Sequence, residues 1–279
     1  MIELPVGVFL LLRELIRDRI GVSFDDDKRD LLAGKLVDRL LVLGLTSFLD
    51  YYYLLKYGPG SDDEWPRLTD ALSVQETYFW REIDQIRALV DVLVPDHVAA
   101  GRGPVRVWSA ACATGEEPLS IAIALNEAGW FGRAKIELWA SDVSQAALEK
   151  ARRGVYRERS FRALPPELRA KYFTAVEGGW KVAPDLHARV RFVSANLLNP
   201  ADTDALAVAP FIFCRNVFIY FSAATVARVV RHFAERMPTP GFLFPGVSES
   251  LLRVTTALQL EEVGKAFVYV KRSPHARKT

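Results

Sequence analysis

The stretch VWSAACATGEEPLSIA, residues 107–122, decides the fold of this chain. It begins as a short apolar run, passes through a turn of small residues and opens directly into a helical pattern. Small residues let the backbone approach a ligand closely, and the free amides at the start of a helix offer polar contacts. The stretch therefore predicts a strand, a ligand-binding turn and a helix.

The composition of this turn argues against two common ligand classes. It has one glycine, Gly115, rather than the three of a dinucleotide fingerprint, and it lacks the lysine of a nucleotide-triphosphate loop. Two acids at the helix start, Glu116 and Glu117, would repel a pyrophosphate. The same acids suit a ligand that carries positive charge.

Beyond this stretch, short β-rich runs alternate with longer helical patterns from about residue 100 onward. This alternation predicts an α/β fold with a doubly wound, mostly parallel sheet. The predicted strands are Val105–Ser109, Ile136–Ser141, Val190–Val193, Phe211–Cys214, Phe242–Phe244 and Ala266–Val270, and the predicted helices are Pro118–Ala128, Ser144–Arg152, Pro166–Phe173 and Ala223–Met237.

Polar residues follow several of the predicted strands, at the sheet edge where open α/β sheets bind ligands. Asp142 ends the second strand, where a carboxylate can take the hydroxyls of a ribose; it can equally cap the helix that begins near Ser144. Asn196 and Asn216 follow later strands and can bind an adenine or an amino-acid end, although Asn196 can instead satisfy its own loop. Arg215 lies in an apolar run and needs partners if it is buried. Together these features favour S-adenosylmethionine, whose sulfonium and amino groups attract acids.

The first part of the chain has a different pattern. Apolar residues recur at helical spacing through residues 1–60, which predicts a helical N-terminal domain. Proline, glycine and acidic residues follow without periodicity, so we predict a linker over 61–74, a second domain over 75–272 and a flexible tail over 273–279. Lys28, Lys35 and Arg39 fall on one helical stripe, which is either a docking face for an acidic partner or a solvated face.

Composition limits the remaining classes of function. The 279 residues are 50% hydrophobic and include only 2 Cys, which excludes a disordered chain and a disulfide scaffold and favours a cytoplasmic location. A net charge of +2 argues against nucleic acid as the main partner. No stretch indicates a signal peptide, a membrane span or a metal site.

Six stretches, in the same order and with similar spacing, resemble the CheR chemoreceptor glutamate methyltransferases. They cover residues 70 to 272 well and the N-terminal region more loosely. The stretches are TYFWRE (77–82), VWSAACATGEEPLSIA (107–122), ASDVSQAALEKARRGVY (140–156), NLL (196–198), FCRNVFIYF (213–221) and SESL (248–251).

The resemblance implies an S-adenosyl-L-methionine-dependent methyltransferase domain behind a small all-helical domain, with a small antiparallel β-subdomain inserted at about 156–190. It implies a cytoplasmic protein-glutamate O-methyltransferase that modifies the helical bundle of a methyl-accepting chemoreceptor and releases S-adenosyl-L-homocysteine. The insert is shorter than in members that bind a receptor's C-terminal pentapeptide, so we predict a pentapeptide-independent enzyme. The alternative is a non-catalytic module that binds S-adenosylmethionine or S-adenosylhomocysteine and signals through its helical region.

The resemblance also implies roles for individual residues. It assigns Arg81 and Tyr220 to the methyl-transfer site, where the residue patterns alone would favour a surface helix residue and a core aromatic. It assigns a larger set to the cofactor: Gln75, Thr77, Arg81, Glu117, Asp142, Asn196, Leu197, Arg215 and Asn216. Two departures stand out, because Gln75 replaces a common Asn and Val247 replaces a common His.

Overall fold

The computed structural model describes residues 3–273 of the chain. The predicted tail lies outside the described residues, apart from Ser273. The helices are α1 Val6–Ile20, α2 Arg29–Val42, α3 Phe48–Tyr57, α4 Ser61–Leu72, α5 Ile83–Arg87, α6 Val94–Ala99, α7 Glu116–Glu127, α8 Trp130–Arg133, α9 Gln145–Arg153, α10 Pro166–Tyr172, α11 Pro184–His187, α12 Pro200–Thr203 and α13 Ala223–Arg236. The strands are β1 Val105–Ala110, β2 Ile136–Asp142, β3 Val155–Tyr156, β4 Phe173–Val176, β5 Gly179–Val182, β6 Val190–Ser194, β7 Phe211–Cys214, β8 Gly241–Pro245, β9 Gln259–Val263 and β10 Ala266–Lys271.

The main sheet has seven strands in the order β6-β2-β1-β7-β8-β10-β9. Its first five strands are parallel; β10 pairs antiparallel with β8, and β9 pairs antiparallel with β10. The predicted α/β fold with a mostly parallel sheet is confirmed. The strand order reverses at β1, between β2 and β7, which is where such sheets open a crevice for a ligand.

The central strands β7 and β8 are buried along their whole length, as expected for parallel strands covered on both faces. All four residues of β7 are buried, and Phe213 stacks on Phe244 of β8 with ring centroids 4.2 Å apart. Two of the covering helices begin at serine caps: Ser144 accepts from the Ala147 amide at the start of α9, and Ser222 accepts from the Thr225 amide at the start of α13. These contacts fix the strand ends that carry the site.

The predicted β-subdomain is a three-stranded antiparallel sheet in the order β3-β5-β4. Phe79 anchors it to the main domain, because its ring packs 4.8 Å from Tyr156, 5.2 Å from Phe161 and 5.0 Å from Phe173, measured between centroids. The Phe79 amide also donates to the Ser160 carbonyl at 2.9 Å. The insert is therefore fixed against the segment that follows the N-terminal domain.

The linker prediction is wrong for residues 61–72, which form α4. Its apolar residues Trp65, Leu68 and Leu72 are buried in the core of the helical domain. Pro66 costs this helix about 3 kcal/mol, but burial of Leu68 and Leu72 contributes about 1.5–3 kcal/mol each. The apolar spacing therefore outweighs the proline that made this segment resemble a linker.

None of the helices within residues 3–273 combines the length and the apolar character needed to cross a membrane.

Candidate functional site

A cavity opens at the carboxyl ends of β1, β2 and β7, beside the point where the strand order reverses. The structure brings all ten predicted site residues to its wall: Gln75, Thr77, Arg81, Glu117, Asp142, Asn196, Leu197, Arg215, Asn216 and Tyr220. Their positions in the chain span almost 150 residues, so the fold, and not sequence proximity, assembles the site.

The turn between β1 and α7 forms the floor of the cavity. Its backbone adopts left-handed conformations at Ala111, Ala113 and Gly115, with φ of 59°, 48° and 94°. A Cβ atom at Gly115 would lie 3.0 Å from the Cβ of Ala151 and 3.1 Å from the Tyr156 hydroxyl. The glycine is therefore required both by conformation and by the close approach of neighbouring side chains.

Asp142 reaches the cavity from the end of β2 while it holds this turn in place. Its carboxylate accepts hydrogen bonds from the amides of Ala113 and Ser144, each at 2.8 Å. Ser144, and not Asp142, caps α9, because its hydroxyl accepts from the Ala147 amide. Burial raises the pKa of Asp142, and the backbone hydrogen bonds oppose that shift. The capping alternative is therefore wrong, and a buried carboxylate faces the cavity.

The two acids at the start of α7 turn in different directions. Glu117 lines the cavity, where it accepts from the Ser109 hydroxyl at 2.7 Å and lies 3.2 Å from Nε of Arg215. Burial raises the pKa of Glu117, and the Arg215 charge opposes the shift. Glu116 instead accepts from Thr114 and from Ser160 of the insert. The expectation of two acids at the ligand therefore holds for Glu117 alone.

Arg215 supplies the cavity with a buried positive charge. Its side chain is only 2% exposed and lies between Glu117 and Glu82, and Nη2 donates to the Arg81 carbonyl at 2.5 Å. Its buried Nη1 atom has no hydrogen-bond partner within the described chain. An unpaired buried guanidinium nitrogen is costly, so Nη1 is available to donate to an acceptor of a ligand, such as a carboxylate. Glu117 and Arg215 together fit an ammonium and a carboxylate, the amino-acid end of S-adenosylmethionine.

The remaining polar residues around the cofactor cavity are tied to neighbouring elements. Gln75 accepts from Lys150 at 2.8 Å. The Asn196 side chain accepts from the Leu198 amide and donates to the Arg19 carbonyl at 2.7 Å. Asn196 therefore does satisfy its own loop, as the alternative proposed, and it also lines the cavity and joins it to the helical domain.

Arg81 and Tyr220 both line the cavity and are both partly exposed; we call this solvent-accessible part of its wall the mouth. Arg81 belongs to a turn that precedes α5, not to a surface helix; its Nη1 donates to the Glu76 carbonyl at 2.9 Å. Tyr220 is half-buried at the cavity wall and does not belong to the apolar core. Burial raises the pKa of Tyr220 and the Arg81 charge opposes that shift, so the phenol stays neutral at physiological pH.

The N-terminal domain contributes a wall that the sequence did not predict. Ile20, Val22, Thr69 and Leu72 line the cavity, and the Ser23 amide donates to the Tyr220 carbonyl at 2.8 Å. Ile20 falls in the predicted helical region, whose periodicity does not indicate what it faces, and Thr69 and Leu72 fall in the segment predicted as a linker. Glu82 was also missed, although it lies in the quoted TYFWRE stretch beside Arg81.

Two family descriptions match the chain: "CheR methyltransferase, SAM binding domain" over residues 75–267 and "CheR methyltransferase, all-alpha domain" over residues 8–73. A chemotaxis protein methyltransferase 2 of Vibrio cholerae is 34% identical over 97% of this chain and 94% of its own length. The chemotaxis protein methyltransferase of Escherichia coli is 38% identical over 87% and 84%, and a chemotaxis protein methyltransferase 2 of Pseudomonas aeruginosa is 34% identical over 88% of both chains. With both of its domains matched, and with a cavity that fits S-adenosylmethionine, the chain belongs to the CheR methyltransferase family.

Proposed function

We propose that this protein transfers the methyl group of S-adenosylmethionine to glutamate side chains of a bacterial chemoreceptor. The products are glutamate methyl esters and S-adenosylhomocysteine. The observation that carries the proposal is the buried Arg215 with its unpaired Nη1, placed beside Glu117 in a cavity that opens at Arg81 and Tyr220. The names of the relatives, which are chemotaxis methyltransferases, support the same substrate.

Different residues around the cavity would bind different parts of the cofactor. Glu117 takes its ammonium group, Arg215 takes its carboxylate through Nη1, and Asp142 takes the hydroxyls of its ribose. Gln75, Thr77, Asn196, Leu197 and Asn216 complete the walls that contact the rest of the molecule. When bound, the cofactor supplies an electrophilic methyl group on a positively charged sulfur.

The acceptor needs orientation rather than activation. A glutamate has an ordinary pKa of about 4.3, so it is already an anion at neutral pH and no general base is required. Arg81 is 25% exposed at the cavity mouth, where it can attract that carboxylate from solvent. Tyr220 borders the same opening and sets the direction of approach. Such positioning supplies on the order of 7 kcal/mol or more of the barrier reduction.

The biological setting belongs to the same proposal. We propose that the enzyme acts in the cytoplasm on the helical bundle of its receptor without a C-terminal pentapeptide. The short turn between β4 and β5 supports this, because only Glu177 and Gly178 join the two strands.

The first test is calorimetric binding of S-adenosylmethionine and S-adenosylhomocysteine to the wild-type protein and to Asp142→Ala. We expect micromolar binding that the substitution removes. Purified receptor and labelled cofactor then test transfer, which should yield base-labile methyl esters on the receptor. Binding without any transfer would favour the non-catalytic signalling module instead.

Two substitutions separate the roles at the cavity mouth. Arg81→Ala should lower kcat/KM for the receptor by about a hundredfold or more, because it removes the charge that positions the acceptor. Tyr220→Phe keeps the ring and removes the hydroxyl. Unchanged turnover in Tyr220→Phe would leave this tyrosine a packing role, and full turnover in Arg81→Ala would disprove the assignment of Arg81.

A further inference from the structure

A second arginine lies beside the cavity mouth, on the inserted subdomain. The Arg162 guanidinium stacks on the ring of Tyr78, with Cζ 3.7 Å from the ring centroid. The Arg81 guanidinium lies over the same ring at 5.6 Å. One half-buried tyrosine therefore has two guanidinium groups within 6 Å of its ring centroid, one that lines the cavity and one from the inserted subdomain.

The position of Arg162 is fixed by its neighbours along the chain. Ser160 binds both the Phe79 amide and the Glu116 carboxylate, and Phe161 stacks on Phe79. These contacts join the segment before Arg162 to the turn that carries Tyr78 and Arg81. Both arginines therefore extend from segments that packing and hydrogen bonds hold together.

In the free protein Arg162 forms an exposed ion pair with Glu76, which another acidic side chain can replace. Nη2 donates to the Glu76 carboxylate at 2.7 Å, and the two side chains are 45% and 64% exposed. Exposed ion pairs contribute little to stability. Glu76 carries the same carboxylate as the proposed acceptor. An acidic side chain of the substrate can therefore replace Glu76 as the partner of Arg162.

We propose that Arg162, stacked on Tyr78, is a recognition site for a second acidic side chain of the acceptor, close to the glutamate that receives the methyl group. This inference rests on the proposed function. A helical acceptor presents side chains three and four residues apart on one face, about 5–6 Å from each other at Cβ. Two acids on that face can reach Arg81 and Arg162 together, and the second acid displaces Glu76.

The experiment is steady-state methylation of the purified receptor at saturating S-adenosylmethionine. Arg162→Gln should raise KM for the receptor on the order of threefold to tenfold, with the loss concentrated in KM and not in kcat. The difference should shrink at high salt, because it comes from exposed charges. Glu76→Gln should lower KM, because it removes the competing acid.

Arg106→Gln is the matched control. Arg106 is 46% exposed and pairs with Glu137 at 2.7 Å, almost as Arg162 pairs with Glu76, but it lies at the amino end of β1, opposite the cavity. Its KM should equal that of the wild type. A receptor in which acids within one helical turn of a methylated glutamate are changed to Gln should abolish the difference between wild type and Arg162→Gln.

The outcomes separate this inference from the proposed function. If the wild-type protein methylates no receptor, the proposed function fails. If it does so, and Arg162→Gln has the KM of the wild type or Glu76→Gln raises KM, the recognition site is disproved. A weaker calorimetric affinity of Arg162→Gln for S-adenosylhomocysteine would also overturn the inference, since it would show that Arg162 supports the cofactor cavity.

Discussion

The carboxylate of Asp142 has two roles. It holds the β1–α7 turn through the amides of Ala113 and Ser144, and it faces the cavity in which we place a ribose. Burial raises its pKa above the ordinary 3.8 and raises the pKa of Glu117 above 4.5. Ionisation of these two carboxyls therefore costs folding free energy in the free protein as pH rises through their raised pKa values.

The same shifts predict how cofactor affinity depends on pH. Both carboxylates must be ionised to accept from the ribose and to face the ammonium, and a raised pKa means that protonation begins at a higher pH. As the pH is lowered, we expect calorimetric affinity for S-adenosylhomocysteine to begin to fall while the pH is still above 4.5, the ordinary pKa of a glutamate. Below each raised pKa the loss should approach about tenfold per pH unit.

Asp142→Asn provides the comparison. It should bind more weakly at neutral pH and retain only the part of the pH dependence that belongs to Glu117. Affinity that stays flat down to pH 4.5 in the wild type would show that ionisation of Glu117 is not coupled to binding.

At the scale of elements, α2 and α4 show how a charge pattern can mislead. Of the stripe interpreted as either a docking face or a solvated face, Arg39 donates to the buried Glu64 at 2.8 and 2.5 Å, and Lys35 donates to the Ala71 carbonyl at 3.3 Å. Glu64 is 2% exposed and also accepts from Tyr51 at 2.7 Å. Two of the three cations therefore hold helices together, and only Lys28 is paired solely at the surface, with Asp27.

This packing predicts different costs for two members of the stripe. Arg39→Ala leaves the Glu64 charge buried without its cation, which should lower the free energy of unfolding by about 3 kcal/mol or more. Lys28→Ala should change it by no more than about 0.5 kcal/mol. Urea denaturation of both variants tests this, and equal stabilities would mean that α2 is not held by the Arg39–Glu64 pair.

The elements divide clearly into those that the sequence predicted and those that it did not. Each strand of the parallel core was found because apolar runs between helical patterns are unambiguous, and Asp142 and Arg215 follow from the rule that strand ends meet at one edge. Helix α4 was missed because Pro66 and the acids before it resemble a linker, although Trp65, Leu68 and Leu72 are spaced for burial. The proline and acidic residues of this segment obscured its helical apolar spacing, which the packing of α4 makes clear.

At the scale of the whole molecule, the cavity belongs to both domains. The backbone of Val22 bridges that of Phe221, and the side chain of Asn196 reaches the Arg19 carbonyl. A Cβ atom at Gly21 would lie 2.8 Å from the Phe221 ring, which shows how closely the two domains approach. Contacts between residues so distant in the chain carry no signature in local periodicity, so this shared wall could not be predicted.

The shared wall leads to a prediction about stability. A ligand that contacts both domains stabilises both, by about 2.7 kcal/mol at a concentration of 100 times its Kd. For a chain of this size we expect S-adenosylhomocysteine at that concentration to raise Tm by roughly 5 °C. We also expect it to slow hydrogen exchange at the Ser23 amide, which donates to the Tyr220 carbonyl. A thermal scan in which the helical domain unfolds first, at a temperature that the ligand does not change, would show that the cofactor is held by the α/β domain alone.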